Sequence, residues 1–369
     1  MLRGLHINNP DDTAAWQALT AARPALVKLV NPSAGHLARV KELTGAVTIA
    51  RFTLDNVDLQ PTANAAGERW WNATRDRVLA VAAHADWVEV PVNEAHNSPN
   101  ALGLYAIATA RYVELAAEWG VRCLVGNFAR GCPEPGDWHL FAPALRAARA
   151  HGGALSLHYY FHRSAMDVPW QVGRGRLLTQ AMPADTHLPI WVTEFGLDNG
   201  DRGYPRARAG WRDAGYANAA EYAADLDVAV AALDDGLHQG VCLFNLGDFA
   251  NHAWRSFDAD DPALVAWLAV GPRPSPAPVP VSSSPPPPGE SPMPQHQSNP
   301  HGYTVGDGFL KKADELGWTL LSDEMYHDPQ QPDADAGRSA WSEALCDKGR
   351  LYWHAALPVE GNVIAVPFA

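Results

Sequence analysis

Along residues 1–270, short runs rich in Val, Ile, Leu and aromatic residues alternate with stretches in which apolar residues recur every three or four positions. The runs fall at 2–7, 25–30, 46–53, 87–93, 121–128, 154–160, 190–195 and 241–246, and each predicts a buried strand. After the fourth run the spacing becomes helical through Tyr105, Ala108, Tyr112, Leu115 and Trp119. After the seventh it does so through Tyr222, Leu226, Ala229, Leu233 and Leu237. Both patterns predict helices with one face on a sheet.

Eight strand-then-helix units in about 270 residues match the size of one α/β (β/α)8 TIM barrel, whose active site sits at the C-terminal ends of the strands. The competing architecture is an open doubly wound sheet, but its glycine-rich first turn is missing, since the first run continues into Asn8-Asn9-Pro10. The alternation stops at 271–300, which holds twelve of the thirty prolines and little to bury. That segment is expected to be a Pro-rich linker, extended at about 3.1 Å per residue. Residues 301–369 then form a small C-terminal α+β domain, predicted helical at 309–317 and strand-like at 349–354 and 362–366. Its functional reading is a carbohydrate- or cell-wall-binding accessory module, and the alternative is a spacer or assembly domain. Asp328, Asp333 and Asp335 lack the Gly and terminal Glu of a calcium loop and are expected to be solvated.

Charge narrows the partners. With 28 Lys and Arg against 41 Asp and Glu, the formal net charge is −13, which argues against an electrostatic grip on nucleic acid or anionic membrane. No stretch reaches the roughly 18 apolar residues of a membrane span, and the start carries no basic leader with an apolar h-region. The chain as written is therefore expected to be cytoplasmic, with extracellular or phage-released action as the alternative. The four cysteines have no metal-binding spacing, and Cys123 and Cys242 lie in apolar runs as expected of buried thiols. No metal or other cofactor is expected.

The chemistry-bearing candidates are two glutamates. The fourth run continues Val90-Pro91-Val92-Asn93-Glu94 and the seventh reads Thr193-Glu194-Phe195-Gly196, so each puts a carboxylate at the catalytic rim. A lone Glu in such a place is ordinarily a solvated loop residue. Strands four and seven, however, lie on opposite sides of an eight-membered ring, so their end carboxylates can face each other. Hydrolysis of a glycosidic bond needs that arrangement, with one carboxyl as proton donor and the other as nucleophile or base.

An Asn-Glu ending strand four and a Thr-Glu-Phe-Gly ending strand seven resemble the signature of clan A of the glycoside hydrolases, the superfamily that includes family 5. The resemblance covers residues 1–270. It implies a retaining glycosidase acting on a β-linked poly- or oligosaccharide, with Glu94 as general acid/base, Glu194 as nucleophile and Asn93 binding the sugar 2-hydroxyl. A retaining mechanism needs the carboxyl groups about 5 to 5.5 Å apart. Strand six supplies His158 and Tyr160, which share a direction; a phenol there can keep the nucleophile ionised and aimed, the alternative being a core aromatic pair. Many clan members carry an arginine near the end of strand two, where this chain has Lys28; Arg51 can substitute from strand three. Arg51 and His6 are further pocket candidates, for which a structural role is the alternative.

Sugars stack their C–H faces on indoles, and Trp138, Trp170, Trp211 and Trp254 follow strands five, six, seven and eight on the site side. Each is a candidate sugar platform, and Trp254 can stand in for the tryptophan that ends strand eight in many clan members. Trp16, Trp119 and Trp267 are expected to pack in helices. The long segment 198–218 is expected to form a cleft wall. Two alternatives remain: a phage-type or autolytic cell-wall hydrolase, and a non-catalytic glycan-binding barrel. A metal-dependent barrel enzyme would call for an HxH on strand one, where His6 stands alone.

Overall fold

The computed structural model describes residues 1–54, 57–60, 62–95, 98–163, 171–172, 181–200, 208–246 and 252–272, together with four short strands near the C-terminus. The chain divides into two compact units, Met1–Pro278 and Val279–Ala369. The second contains an antiparallel sheet of β9 (Met325–His327), β10 (Trp341–Leu345), β11 (Gly349–His354) and β12 (Val363–Pro367), ordered β12-β11-β10-β9. The strands expected at 349–354 and 362–366 are β11 and β12. The expected helix at 309–317 and most of the linker lie outside the described residues.

The first unit is a closed barrel of eight parallel strands in sequence order. They are β1 (Leu2–Ile7), β2 (Leu26–Val30), β3 (Val47–Arg51), β4 (Trp87–Glu89), β5 (Cys123–Phe128), β6 (Ala154–Phe161), β7 (Ile190–Leu197) and β8 (His238–Leu246). The described helices are α1 (Thr13–Ala22), α2 (Ala34–Thr44), α3 (Ala63–Val81), α4 (Pro99–Ala117), α5 (Ala142–Ala150), α6 (Ala219–Ala232) and α7 (Pro262–Ala269). Most start on a polar side chain that accepts a backbone N–H: Asp12, Ser33, Thr62, Ser98, Asn218 and Asp261. Such a cap is worth about 1 kcal/mol and turns each strand-end loop sharply into its helix.

Burial separates two kinds of core. The larger lies between sheet and helices and takes the outward-facing strand residues, among them Leu5, Val27, Ala50, Val88, Leu155, Leu157 and Val192. The smaller lies inside the barrel, where Leu26, Ile49, Leu124, Ala154, Trp191 and Cys242 meet Leu2, Val47 and Trp87. All eight strands contribute to this plug, which closes the N-terminal end of the barrel. Two positions further along β2, β3, β4, β6 and β7, the inward side carries Lys28, Arg51, Glu89, Ser156 and Thr193.

Some boundaries differ from the sequence expectation. Strand four was expected to reach residue 93, but the β4 ladder ends at Glu89. Val90 still donates to the Leu124 carbonyl, but Pro91 has no N–H, and the Val90 and Val92 carbonyls accept from the Asn127 side chain at 2.8 and 3.0 Å. Trp119, expected to pack, is 57% exposed just beyond α4. Cys123 and Cys242 are buried free thiols. Among the described residues, no helix is long and apolar enough to cross a membrane.

Candidate active site

Position along each strand decides what reaches the mouth of the barrel. On β1, β2, β3 and β6 the alternation of side chains places His6, Lys28, Arg51 and the Ser156-His158-Tyr160 series inward, above the apolar plug. Strand β7 departs from simple alternation. Against β6, Leu157 pairs with Val192 and His158 with Glu194, so Thr193 is an extra residue. Against β8 the same irregularity falls between Val192 and Phe195. This bulge turns Thr193 and Glu194 both inward while Val192 and Phe195 remain in the outer core.

Glu194 is held from every side. Its Oε1 is 3.3 Å from Lys28 Nζ, 3.2 Å from an Arg51 guanidinium nitrogen and 3.8 Å from His6 Nδ1. Tyr160 donates its hydroxyl to Oε2 at 2.8 Å, and His158 Nδ1 lies 3.5 Å from the same oxygen. Burial opposes ionisation of Glu194, but His158, Lys28 and Arg51 facing it outweigh that cost and hold the carboxyl well below its ordinary range. Burial and the neighbouring Glu194 charge push Tyr160 well above the ordinary phenol range, so it stays a hydrogen-bond donor. Burial, reinforced by Lys28, lowers His6 to about 3, which makes it a neutral imidazole at physiological pH.

Glu94 is different in every respect but position. Its side chain is 38% exposed, against 8% for Glu194, and it adopts φ +49° just beyond β4. Its backbone N–H donates to the Asn127 carbonyl at 2.9 Å, and His158 Nδ1 lies 3.0 Å from its Oε1. His158 thus presents one nitrogen to both carboxylates, and ligand atoms of Glu94, His158 and Glu194 all lie within 4.8 Å of one another. Among the described residues, these three could hold a metal. Lys28 and Arg51 already stand against Glu194, however, and a third cation would meet both.

Three residues absent from the sequence candidates lie directly beneath this site. Glu89 on β4 is buried and ion-paired with Lys28 at 3.0 Å, and it accepts from the Ser156 hydroxyl at 2.9 Å. Ser156 in turn accepts from Thr193 at 2.8 Å, and Thr193 accepts from Lys28 at 3.3 Å. Burial works against the Glu89 charge, yet Lys28 and Arg51 bring its carboxyl below the ordinary range. The available signal was parity: Lys28 and Glu89 are the charged residues on the inward side of otherwise apolar strands.

The remaining candidates divide. Arg51, His6, His158 and Tyr160 converge on Glu194 as described, and Asn93 is exposed at the rim beside Glu94. Trp254 is half-buried and packs edge-on against Phe244 and Phe257, with ring centroids 5.2 and 5.5 Å away. Phe244 also meets His6 and Tyr160, so this aromatic group borders Glu194. Two tryptophans are corrected. Trp138 is wholly buried between Phe128 and Phe141, and Trp211 is stacked on Tyr222 at 5.4 Å with its indole N–H on the Asp258 carbonyl. Both have their faces occupied by the core and offer no sugar platform. Trp170 and residues 201–207 of the expected cleft wall lie outside the described residues.

No protein-family model and no curated protein matches the sequence. Among solved structures, the chain is similar to a GH128 (subgroup I) endo-β-1,3-glucanase from Amycolatopsis mediterranei in complex with laminaritriose, at 16% identity and a TM-score of 0.46 over 73% of this chain and 99% of that one. It is also similar to a glycoside hydrolase family 5 enzyme from Prevotella bryantii, at 12% identity and a TM-score of 0.43 over 72% of this chain and 94% of that one. A third likeness is to ZgEngAGH5_4 in complex with a cellotriose, at 12% identity and a TM-score of 0.48 over 73% and 96%. The barrel itself rests on the strand order of this chain, and the chemistry on its own residues.

Proposed function

We propose that this chain is a retaining glycoside hydrolase of the clan A type, cleaving a β-linked poly- or oligosaccharide with Glu194 as nucleophile and Glu94 as general acid/base. The observation that carries this reading is the contrast between two carboxylates with oxygens within 4.8 Å of each other. One is buried and held ionised by fixed cations and a phenol; the other is open to solvent. A nucleophile needs the first environment, and a group that protonates a leaving oxygen and later deprotonates water needs the second.

In the first step a Glu194 oxygen forms a bond to the anomeric carbon as the glycosidic C–O bond breaks. The bond's electron pair leaves with the aglycone oxygen, which takes the proton of Glu94. In the second step water attacks the same carbon, gives its proton to Glu94 and releases Glu194 as the carboxylate. Tyr160 and Arg51 keep the attacking carboxylate ionised and oriented; His158 spaces it from Glu94. Asn93 is assigned to the sugar 2-hydroxyl, and the Phe244–Trp254 edge supplies apolar surface beside the reacting ring. The proposed role of residues 301–369 is to hold the barrel near a polysaccharide or cell-wall surface across the linker.

The two roles separate experimentally. Glu194→Gln is expected to abolish turnover of every substrate while the fold persists. Glu94→Gln is expected to lose turnover of natural glycans but to keep a measurable first step on dinitrophenyl glycosides, whose leaving group needs no proton, with azide rescuing the second step. Laminari- and cello-oligosaccharides are the first substrates to assay. Turnover retained by Glu194→Gln, or an inverted anomeric product, would overturn the reading.

A further inference from the structure

Lys28 is completely buried at the centre of the barrel, and its ammonium is surrounded by three side-chain oxygens. It donates to Glu194 Oε1 and Thr193 Oγ1, each at 3.3 Å, and its third oxygen neighbour is Glu89 Oε2, an ion-pair contact at 3.0 Å. The hydroxyls close a ring beneath it, because Thr193 donates to Ser156 and Ser156 donates to the other oxygen of Glu89. Glu89 is as deeply buried as Lys28 and lies one layer below the reacting groups, out of reach of any sugar.

The reaction proposed above changes the charge of this cluster. In the resting site Glu89 and Glu194 offset Lys28 and Arg51. When Glu194 bonds to the anomeric carbon its negative charge is consumed, and Lys28 loses one of its two counter-ions with no water to replace it. A buried cation without a partner is strongly unfavourable. We propose that Glu89 is a positioning residue that acts through Lys28, keeping the ammonium paired while Glu194 is an ester and so favouring formation of the covalent intermediate. The inference rests on the glycosidase reading.

The test uses the full chain with 2,4-dinitrophenyl 2-deoxy-2-fluoro-β-laminaribioside and the corresponding cellobioside, following both labelling of Glu194 and its release. Glu89→Gln is expected to slow labelling by about tenfold or more while release is unchanged or faster, and Glu89→Asp to recover most of the loss. In a Lys28→Met background, adding Glu89→Gln is expected to change labelling by less than about threefold. Equal slowing of labelling and release, or the same effect of Glu89→Gln with and without Lys28, overturns the proposal. If Glu89→Gln does not fold, the Lys28→Met/Glu89→Gln pair is expected to restore folding by removing the stranded cation. A double variant that stays unfolded where Lys28→Met folds also overturns it. Absence of label on Glu194 in the unaltered chain is a different result: it overturns the glycosidase reading itself, and this inference with it.

Discussion

Single residues carry both the chemistry and its pH dependence. Tyr160 donates to Glu194 at 2.8 Å, and a phenol with a raised pKa cannot compete for the negative charge. Tyr160→Phe keeps the ring against Phe244 but removes the donor, and about a 10- to 100-fold fall in kcat/KM is expected, measured on an aryl glycoside. His6 predicts a stability effect. Its unfolded form takes a proton below its ordinary pKa of 6.5, while the folded form refuses one until about 3. The unfolded state therefore binds more protons in that window, and stability is lost as pH falls through it, by up to about 1.4 kcal/mol per pH unit. Denaturant unfolding of the native chain and His6→Gln at several pH values checks this, with a shallower slope expected in the variant. These side chains were legible as candidates because strand parity and position converge on them. Lys28 and Glu89 were equally inward, but a sequence does not show that two distant charges meet as a buried pair.

At the scale of elements, two irregularities aim Glu194 and Glu94, the proposed catalytic pair. The β7 bulge turns Glu194 inward next to Thr193. On β5, Gly126 at φ +108° and Asn127 at φ +48° break the register with β6. A Cβ on Gly126 would lie 2.8 Å from the Ser156 carbonyl, so only glycine fits there. The kink sends the Asn127 amide to the Val90 and Val92 carbonyls and its own carbonyl to the Glu94 N–H. Asn127→Ala is expected to cost about 1–3 kcal/mol by chemical denaturation and to loosen Glu94. The kinetic readout is a larger loss on substrates with poor leaving groups than on dinitrophenyl glycosides. All eight strands were legible from their apolar runs, but the bulges were not, since one extra residue leaves composition and periodicity nearly unchanged. Trp138 and Trp211 show the reverse error. Their position after strands five and seven was read correctly, but which face of a short loop helix packs inward depends on neighbours such as Phe128 and Tyr222.

At the scale of the molecule, the closed eight-stranded barrel with its inner and outer cores lies within the first compact unit, Met1–Pro278. A chain ending at residue 278 is therefore expected to unfold cooperatively, with the activity of the full chain on soluble oligosaccharides. If the C-terminal residues act as a tether, the truncated chain loses activity selectively on insoluble polysaccharide, which parallel assays on soluble and insoluble glycan would reveal. The formal charge of −13 fits a neutral glycan better than a polyanion. The central claim is that the buried, cation-held carboxylate is the one that bonds to sugar. Peptide mass mapping after exposure to a 2-fluoro glycoside tests it most directly. The account predicts a single glycosyl adduct on the peptide containing Glu194 and none on that containing Glu94; a label on Glu94, or a folded and active protein that takes no label, contradicts it.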